Sequence, residues 1–175
     1  MYVPKFYKND NIDEVKSFIS NNSFGILVSR GESKLWATHI PLELDKNEQG
    51  KDVLYGHISK GNPQWKNFSG KENVLAIFHG PHAYVSSSWY DHENVPTWNY
   101  IAVHIYGKIR IITGEKLFNV LKKLTDKYES HSENPVSLEK MSENYLQKQI
   151  KGIVGFEIEI EEVHSAYKLS QNRDE

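Results

Sequence analysis

The spacing of hydrophobic positions predicts one helix, then a series of strands, then two helices and a final strand. The first helix is predicted to follow Asp10 or Asn11, residue types that cap helix N-termini. From residue 24 onward the hydrophobic period shortens to two, which is typical of strands. The predicted strands are residues 24–29, 34–40, 41–44, 53–58, 73–79, 83–90 and 99–112.

The last third of the chain returns to helical spacing and ends on an alternating segment. Helices are predicted over residues 117–128 and 138–149, the second with Ser137 as its cap. Residues 154–163 alternate apolar residues with glutamates and predict a half-buried strand. By contrast, residues 73–79 are almost continuously apolar and predict a strand that is buried on both faces.

No repeat, low-complexity tract or linker interrupts the chain, so we expect one α+β domain, residues 1–175, around a closed antiparallel sheet. A net charge of −2 provides no global attraction for nucleic acid or an anionic membrane. The absence of cysteine excludes disulfides, thiolate metal sites and cysteine catalysis. No segment has the apolar length of a signal peptide or a membrane-spanning helix, and we expect a cytoplasmic protein.

The segment GHISKGNPQW, residues 56–65, combines features that suit a phosphate group. A predicted strand ends just before Ser59 and Lys60, which supply a hydroxyl group and a cation. Asn62 before Pro63 is typical of a helix start, where free backbone amides attract anions. The alternative is an ordinary loop with a helix cap, and this stretch alone does not decide between the two.

Two histidines lie on different predicted strands. Thr38 and His39 come shortly before Pro41, which would interrupt strand pairing. His57 lies near the end of the strand at 53–58. If His39 and His57 converge in the fold, they become candidates for proton transfer; otherwise each is an ordinary core or edge residue.

Residues 79–100, HGPHAYVSSSWYDHENVPTWNY, mix aromatic side chains with Ser, Thr and Asn. This composition suits a pocket that stacks a flat ring and forms hydrogen bonds to its edges. For Trp89 and Trp98, a core position and a pocket wall are equally compatible with the sequence. His79 and His82 are three residues apart across a turn, a spacing that does not suit a two-histidine metal site, so no metal is expected.

The order of several motifs along the chain resembles one known family. These motifs are MYVPKFY, ATHIPL, GHISKGNPQW, FHGPHAYVSSSWY, VPTWNY, AVHIYGK, KGIVGFEIEIE and YKLSQNR, which together span nearly the whole chain. The protein is identified by them as a member of the PaiB family, described as FMN-binding negative transcriptional regulators linked to protease production and sporulation. The resemblance implies an FMN-binding split barrel, that is, an antiparallel split β-barrel with flanking helices.

The resemblance also implies a homodimer with the flavin at its interface, as in the wider superfamily that includes pyridoxamine phosphate oxidases and flavin reductases. The FMN phosphate is expected at the SKGNP turn, and the strand of Thr38 and His39 is expected to face the flavin. Trp65, Trp98 and Asn99 are predicted at the rim of the ring. The predicted cofactor-binding residues are Thr38, His39, His57, Ser59, Lys60, Asn62, Trp65, Trp98 and Asn99.

Regulation is the first function that the resemblance implies. The alternatives are an FMN-dependent oxidoreductase and, third, a haem-binding or haem-degrading protein. No catalytic residue is assigned, although His39 and His57 are the candidate proton donors. The chain has no helix-turn-helix pattern and no basic arm, and duplex binding depends strongly on phosphate neutralisation. We therefore expect any effect on transcription to be indirect or to depend on a local patch of charge.

The C-terminal residues allow two interpretations. Ser170, Gln171, Asn172 and Arg173 form a dense polar set. They are either a solvated terminus or a segment that folds back over a site or across a dimer seam. Many family members are expected to continue beyond this segment with a charged helical tail for dimerisation or DNA contact, and this sequence is expected to lack it.

Overall fold

Seven strands form one antiparallel sheet in the computed structural model, which describes residues 1–172. The strands are β1 Phe24–Arg30, β2 Leu35–Pro41, β3 Glu43–Lys46, β4 Asp52–Ser59, β5 Ser69–Val85, β6 Thr97–Ile112 and β7 Ile153–Lys168. The helices are α1 Ile12–Asn21, α2 Gly114–Glu129 and α3 Glu143–Ile150, with short 3-10 helices at Lys5–Tyr7, Pro63–Asn67, Ser87–Trp89 and Leu138–Lys140. The predicted first helix is confirmed, and Asn11 caps it by accepting a hydrogen bond from Glu14 N at 3.3 Å.

The sheet curls because the chain joins its two edge strands with almost no connecting loop. The strand order is β2-β1-β5-β6-β7-β4-β3, so β2 and β3 are the edges, yet only Leu42 separates them along the chain. Leu42 is fully buried, and its amide donates to Ser23 O at 2.8 Å. The edges must therefore approach each other, and the predicted antiparallel split β-barrel with flanking helices is confirmed.

Two apolar cores hold the fold together, one inside the barrel and one outside it. Phe78 and Phe156 are among the largest fully buried side chains of the barrel interior, which also receives Val15 and Ile19 from α1. At Gly155 a Cβ atom would lie 2.3 Å from the side chain of Leu117, so glycine here permits α2 to pack directly on β7. The outer core consists of Val53, Tyr55, Ile112, Leu117, Leu121 and Leu138.

A fully buried carboxylate joins α2 to the sheet. Glu157 lies 2.6 Å from Lys116 Nζ, and Arg110 Nε donates to it at 2.9 Å. Burial by itself would raise the pKa of Glu157, but hydrogen bonds from Lys116, Tyr55 and Arg110 outweigh burial and hold the pKa below its ordinary value. The half-buried strand predicted over residues 154–163 would expose this glutamate, and the prediction is wrong at Glu157 because α2 covers that side of β7.

Strand β5 buries one face rather than the two that its apolar run predicts. Val74, Ala76 and Phe78 point into the barrel and are buried. Leu75 and Ile77 point outward and remain partly exposed within residues 1–172. The prediction of burial on both faces is therefore wrong for a single chain, since no described element covers the outer face completely.

The last predicted helix is divided in two. Ser137 precedes the 3-10 helix Leu138–Lys140, and α3 begins only at Glu143, after Ser142. Both serines are suitable helix caps, and the apolar spacing of residues 138–149 runs through the break, so the pattern did not reveal it. Within residues 1–172, none of the helices combines the length and apolar character needed to cross a membrane.

Candidate functional site

Several predicted cofactor-binding residues meet where β4 ends beside β2. Strand β4 ends at Ser59, and Asn62 then caps the following 3-10 helix by accepting a hydrogen bond from Gln64 N at 3.0 Å. Asn62 Nδ2 donates in turn to Thr38 Oγ1 on β2 at 2.9 Å. We call Thr38 together with residues 59–65 the turn cluster.

Gln64 holds the turn cluster together from inside the barrel. Its side chain is fully buried, and its Oε1 accepts a hydrogen bond from Thr38 Oγ1 at 2.5 Å. Its Nε2 donates to Leu27 O at 3.2 Å and to Ser29 Oγ at 2.9 Å, which ties the turn to β1. Both polar atoms of this buried amide are therefore bonded. The sequence analysis did not identify Gln64, because glutamine in a polar turn is most often exposed.

The backbone amides of the turn are bonded within the protein. Lys60 N donates to Gly152 O at 2.8 Å, and Asn62 N donates to Ser59 O at 2.9 Å. Gly61 N donates to Ser59 Oγ at 3.2 Å. These three amides are therefore not free, and at the helix start itself Pro63 has no N–H and Gln64 N donates to Asn62 Oδ1. Any hydrogen bonds from this turn to a ligand would therefore come from its side chains.

Lys60 and Ser59 present their side chains to solvent. Within residues 1–172, the Lys60 ammonium group has neither an ion-pair nor a hydrogen-bond partner. Trp65 Nε1 donates to Lys60 O at 2.9 Å, which fixes the indole beside the turn. An unpaired cation, a hydroxyl group and the second amide hydrogen of Asn62 form a donor set that suits a phosphate.

His39 lies on β2 and His57 on β4, and no hydrogen bond joins the two side chains among the described residues. His39 is exposed on the outer side of β2, with its ring centroid 6.4 Å from that of Phe24. His57 pairs with Gly155 and lies on the side of β4 that faces α2. Burial lowers the pKa of His57 below its ordinary value. A shared role of the two histidines in proton transfer stays a prediction.

Trp98 and Asn99 lie on another part of the molecule, residues 80–100, which we call the hairpin arm. The β ladder runs from Thr38 on β2 across β1 and β5 to Ile105 on β6. Trp98 is seven positions from Ile105 along β6, about 20 Å at the usual strand rise. One chain therefore does not bring Trp98 and Asn99 next to the turn cluster. As neighbours on a strand, these two side chains also point to opposite faces.

The hairpin arm exposes its aromatic side chains. Trp89 is 71% exposed, and Trp98 and Tyr84 are each 51% exposed. The Trp98 ring is packed edge-on against His82, with centroids 5.3 Å apart. Of the two alternatives open for Trp89 and Trp98, the core position is excluded in a single chain.

The C-terminal residues fold back on their own chain. Ser170 Oγ donates to Asn99 Oδ1 at 2.9 Å. Gln171 Nε2 donates to two backbone carbonyl groups at 3.0 and 2.6 Å, and Asn172 Oδ1 accepts from a tyrosine hydroxyl group at 3.1 Å. Ser170 adopts a φ of 62°, which is uncommon for a residue other than glycine. Arg173, the last of the predicted polar set, lies outside the described residues.

The outer side of β1 and β5 forms an apolar surface that we call the open sheet face. Ile26 pairs with Ile77 and Val28 with Leu75, and all four remain partly exposed within residues 1–172. His104 of β6 lies opposite Ile77 on the same face, and its Nδ1 is enclosed without a hydrogen-bond partner among the described residues. Burial, assisted by the N-terminal amino group and another histidine, lowers the pKa of His104. The open sheet face therefore combines partly exposed apolar side chains with a buried nitrogen that has no partner among the described residues.

Comparison with known proteins agrees with the resemblance found in the sequence. Residues 1–162 match the family model described as "Putative FMN-binding domain". The chain belongs to this family. It is also 49% identical over 175 residues to "Protease synthase and sporulation protein PAI 2" of Bacillus subtilis (strain 168), which covers 100% of this chain and 84% of that protein. Membership of the PaiB family, predicted from the motifs, is confirmed.

Solved structures share the fold at low sequence identity. The FAD and Heme binding protein from Mycobacterium smegmatis matches 93% of this chain and 73% of its own, with a TM-score of 0.69 and 12% identity. A "Putative Pyridoxamine 5'-phosphate oxidase" from Listeria innocua matches 87% of this chain and 95% of its own, with a TM-score of 0.53 and 14% identity. At such identities the likeness shows the split-barrel fold alone.

Proposed function

We propose that this protein binds FMN at an interface between two copies of the chain and acts through that cofactor as a negative regulator of protease production and sporulation. The link to protease production and sporulation follows the name of the Bacillus subtilis relative, the negative regulation is what the family resemblance implies, and the cofactor follows the family description. The main support for a site shared between two chains is that the turn cluster and the hairpin arm are far apart within one chain. A second copy is required to bring the two together.

The turn cluster fits the phosphate end of FMN. Lys60 supplies an unpaired cation, and Ser59 and Asn62 supply neutral donors. Because buried Gln64 anchors this turn to β1, the donors need little reorganisation when a ligand arrives. FMN would supply reversible electron transfer, whereas these side chains bind and orient it.

The hairpin arm fits the ring end of the cofactor. Trp98 lies on the same side of the sheet as the open sheet face and offers a half-exposed indole for flat contact. Asn99 points to the opposite side, where its Oδ1 accepts from Ser170. In this proposal Trp98 contacts the ring, and Asn99 instead secures the C-terminal segment against the arm.

The open sheet face supports a second copy of the chain as the partner. Its four apolar side chains and the unpaired His104 Nδ1 lie on the side of the sheet that carries Trp98. In a two-fold dimer the same face of each chain covers the other. Such a dimer would remove apolar surface from water and carry each Trp98 toward the partner chain.

The ion pairs of α2 favour an indirect effect on transcription. Duplex binding requires lysines and arginines that are available to neutralise phosphates. Within residues 1–172 four lysines of α2 each contact a carboxylate of this chain, so this helix offers no stripe of unpaired cations. They are Lys116, Lys122, Lys123 and Lys127.

The proposal is tested by titrating the purified protein with FMN in a visible absorption experiment while its mass in solution is recorded. We expect saturation at one FMN per chain in a species of two chains. Absence of saturable binding would overturn the proposal, and tighter binding of FAD or haem would reassign the cofactor. Turnover with a nicotinamide reductant would assign an oxidoreductase function instead.

A mixing experiment tests whether the site is shared between chains. Lys60→Ala and Trp98→Ala are each expected to weaken FMN binding as homodimers. When the two variants are co-expressed and assort at random, about a quarter of the sites combine an intact Lys60 with an intact Trp98. Recovery of tight binding in about that fraction supports a shared site, whereas no recovery would show that both residues act within one chain.

A further inference from the structure

A cavity of about 320 Å³ lies on the α2 side of the turn, away from the face that carries Thr38. It is open to solvent on one side and is lined by the turn after β4, the end of β6, the start of β7, the first turn of α2 and the end of α3. Its walls are mostly apolar and include Trp65, Ile112, Leu117, Ile150 and Ile153. This volume is at the lower end of the range of small-molecule sites.

Two lysines on neighbouring segments line this cavity. Lys60 and Lys151 both line it, and both are exposed. Within residues 1–172, neither ammonium group has an ion-pair partner. This is in contrast to α2, where four lysines contact carboxylates of the chain. Two unpaired cations above an apolar wall are complementary to a molecule with one anionic end.

The backbone holds the two lysines close together. Lys60 N donates to Gly152 O at 2.8 Å, and Ser59 pairs with Ile153 where β4 meets β7. Lys151 N itself is fixed by a bond of 3.1 Å to Gln147 O at the end of α3. Hydrogen bonds therefore fix the backbones of Lys60 and Lys151 next to each other, and both side chains start from the same part of the cavity rim.

The inner wall of the cavity is also held in place. The Trp65 indole is tied to Lys60 O at 2.9 Å, and it packs against the barrel core. Ile112 and Leu117 belong to the outer core, against which Ile150 and Ile153 also pack. The cavity is therefore bounded by ordered side chains, which lowers the entropic cost of filling it.

We propose that this cavity binds an apolar carboxylate, with a hydrocarbon body of about ten non-hydrogen atoms on the isoleucines and leucine and the carboxylate between Lys60 and Lys151. The site goes beyond the proposed cofactor function and does not depend on it. Lys60 belongs to both sites, whereas Lys151 lines only the cavity. A ligand there would compete with the FMN phosphate for Lys60, which gives a metabolite a route to alter cofactor affinity.

The test uses decanoate as the probe, in calorimetric titrations of the full chain below the concentration at which decanoate forms micelles. Decanol, which has the same apolar body and no charge, is the matched probe. We expect saturable decanoate binding at one site per chain and at least about tenfold weaker binding of decanol. Equal affinity for the two probes, or no saturable decanoate binding, would overturn the proposal.

Three lysine variants locate the site. Lys151→Met is expected to weaken decanoate binding about tenfold and to leave FMN affinity unchanged in the absence of decanoate. Lys60→Met is expected to weaken both. Lys148→Met is the control, since Lys148 is an exposed lysine of α3 that does not line the cavity. If Lys151→Met and Lys148→Met behave alike, the assignment is wrong.

A cavity-filling variant separates this inference from the proposed function. Ile150→Trp places a larger side chain in the cavity and is expected to abolish decanoate binding without changing FMN affinity. Far-ultraviolet circular dichroism checks that the variant is folded. If the protein binds decanoate but not FMN, the cavity site is supported and only the cofactor proposal is overturned. If it binds FMN but not decanoate, the cavity site is overturned and the cofactor proposal is supported.

Discussion

The turn cluster and the hairpin arm both contain predicted cofactor residues, but they are stabilised in opposite ways. In the turn cluster, fully buried Gln64 bonds to Thr38, Ser29 and a carbonyl group of β1. In the hairpin arm, the tryptophan side chains are largely exposed to solvent, 71% for Trp89 and 51% for Trp98. One region is complete within a single chain, whereas the other lacks contacts that its composition would suit.

In the proposed dimer, this difference would divide the binding site between two copies of the chain. A polar cluster that must hold a charged group gains from rigid support inside its own barrel. Large aromatic side chains contribute most when a second surface excludes water from them, which is why they are enriched at interfaces. In the proposed dimer, the partner chain would cover the open sheet face, which is on the same side of the sheet as Trp98.

The largest expected effect is a difference in the free energy of unfolding between a variant of the turn cluster and a variant of the hairpin arm. Gln64→Leu removes the three side-chain hydrogen bonds of Gln64 and leaves buried partners unsatisfied, so we expect a loss of about 3 kcal/mol in the free energy of unfolding. Trp98→Ser, at an exposed site, is expected to change it by only about 0.5 kcal/mol at protein concentrations where the chain is monomeric. Urea unfolding measures both. Similar losses for the two variants would contradict the comparison.

The next effect concerns the phosphate end of the cofactor. Lys60→Ala removes the unpaired cation of the turn cluster and is expected to weaken FMN binding about 30-fold, or about 2 kcal/mol. Trp36→Ala is the control, because Trp36 lies near the cluster on β2 but its ring contacts Lys34 instead. Fluorescence titration with FMN compares the variants. Equal weakening by both changes would count against the phosphate assignment.

A smaller loss of FMN affinity is expected from a substitution at Asn99, which points to the side of the hairpin arm opposite Trp98. Asn99→Ala removes the acceptor of the Ser170 hydroxyl group but leaves Trp98 in place, so we expect FMN binding to weaken only about threefold. The same titration serves as the measurement, with Trp98→Ala beside it. If Asn99→Ala proves the more damaging of the two, then Asn99 rather than Trp98 contacts the ring.

The smallest expected effect is a dependence of stability on pH that comes from His57. Burial lowers its pKa in the folded protein below the ordinary value of 6.5. The unfolded chain therefore takes up the proton first, and the free energy of unfolding falls as the pH decreases from about 6.5 through the folded value. We expect His57→Gln to reduce this slope in urea unfolding curves measured between pH 7 and pH 5. An unchanged slope would show that His57 does not cause it.

Most of the secondary structure was predictable because its signals are local. The cap at Asn11 and the change of hydrophobic period at residue 24 located α1 and the strands that follow. The break before α3 escaped because Ser137 and Ser142 are equally suitable caps and apolar spacing continues between them. Hydrophobic periodicity indicates which residues face a core, but it does not indicate where a helix is interrupted.

The candidate site was predictable only in part. The strand end at Ser59 and the cap at Asn62 were predicted correctly, because strand, turn and cap follow one another directly along the chain. Gln64 was missed because its three partners come from β1 and β2, far away in sequence. The relation between His39 and His57 could not be predicted, because it depends on how β2 and β4 are placed when the sheet curls.

The sequence by itself determined the family and the α+β fold class, and it identified residue types that suit a flavin phosphate. Motifs, periodicity and caps each depend on residues that are close together in the sequence. Only the tertiary structure decided that Glu157 is buried under α2, that Gln64 secures the turn, and that Trp98 stands far from Lys60. Those outcomes depend on which elements meet when the sheet curls through Leu42. Such contacts join residues that are distant in sequence, so no local pattern of residues specifies them.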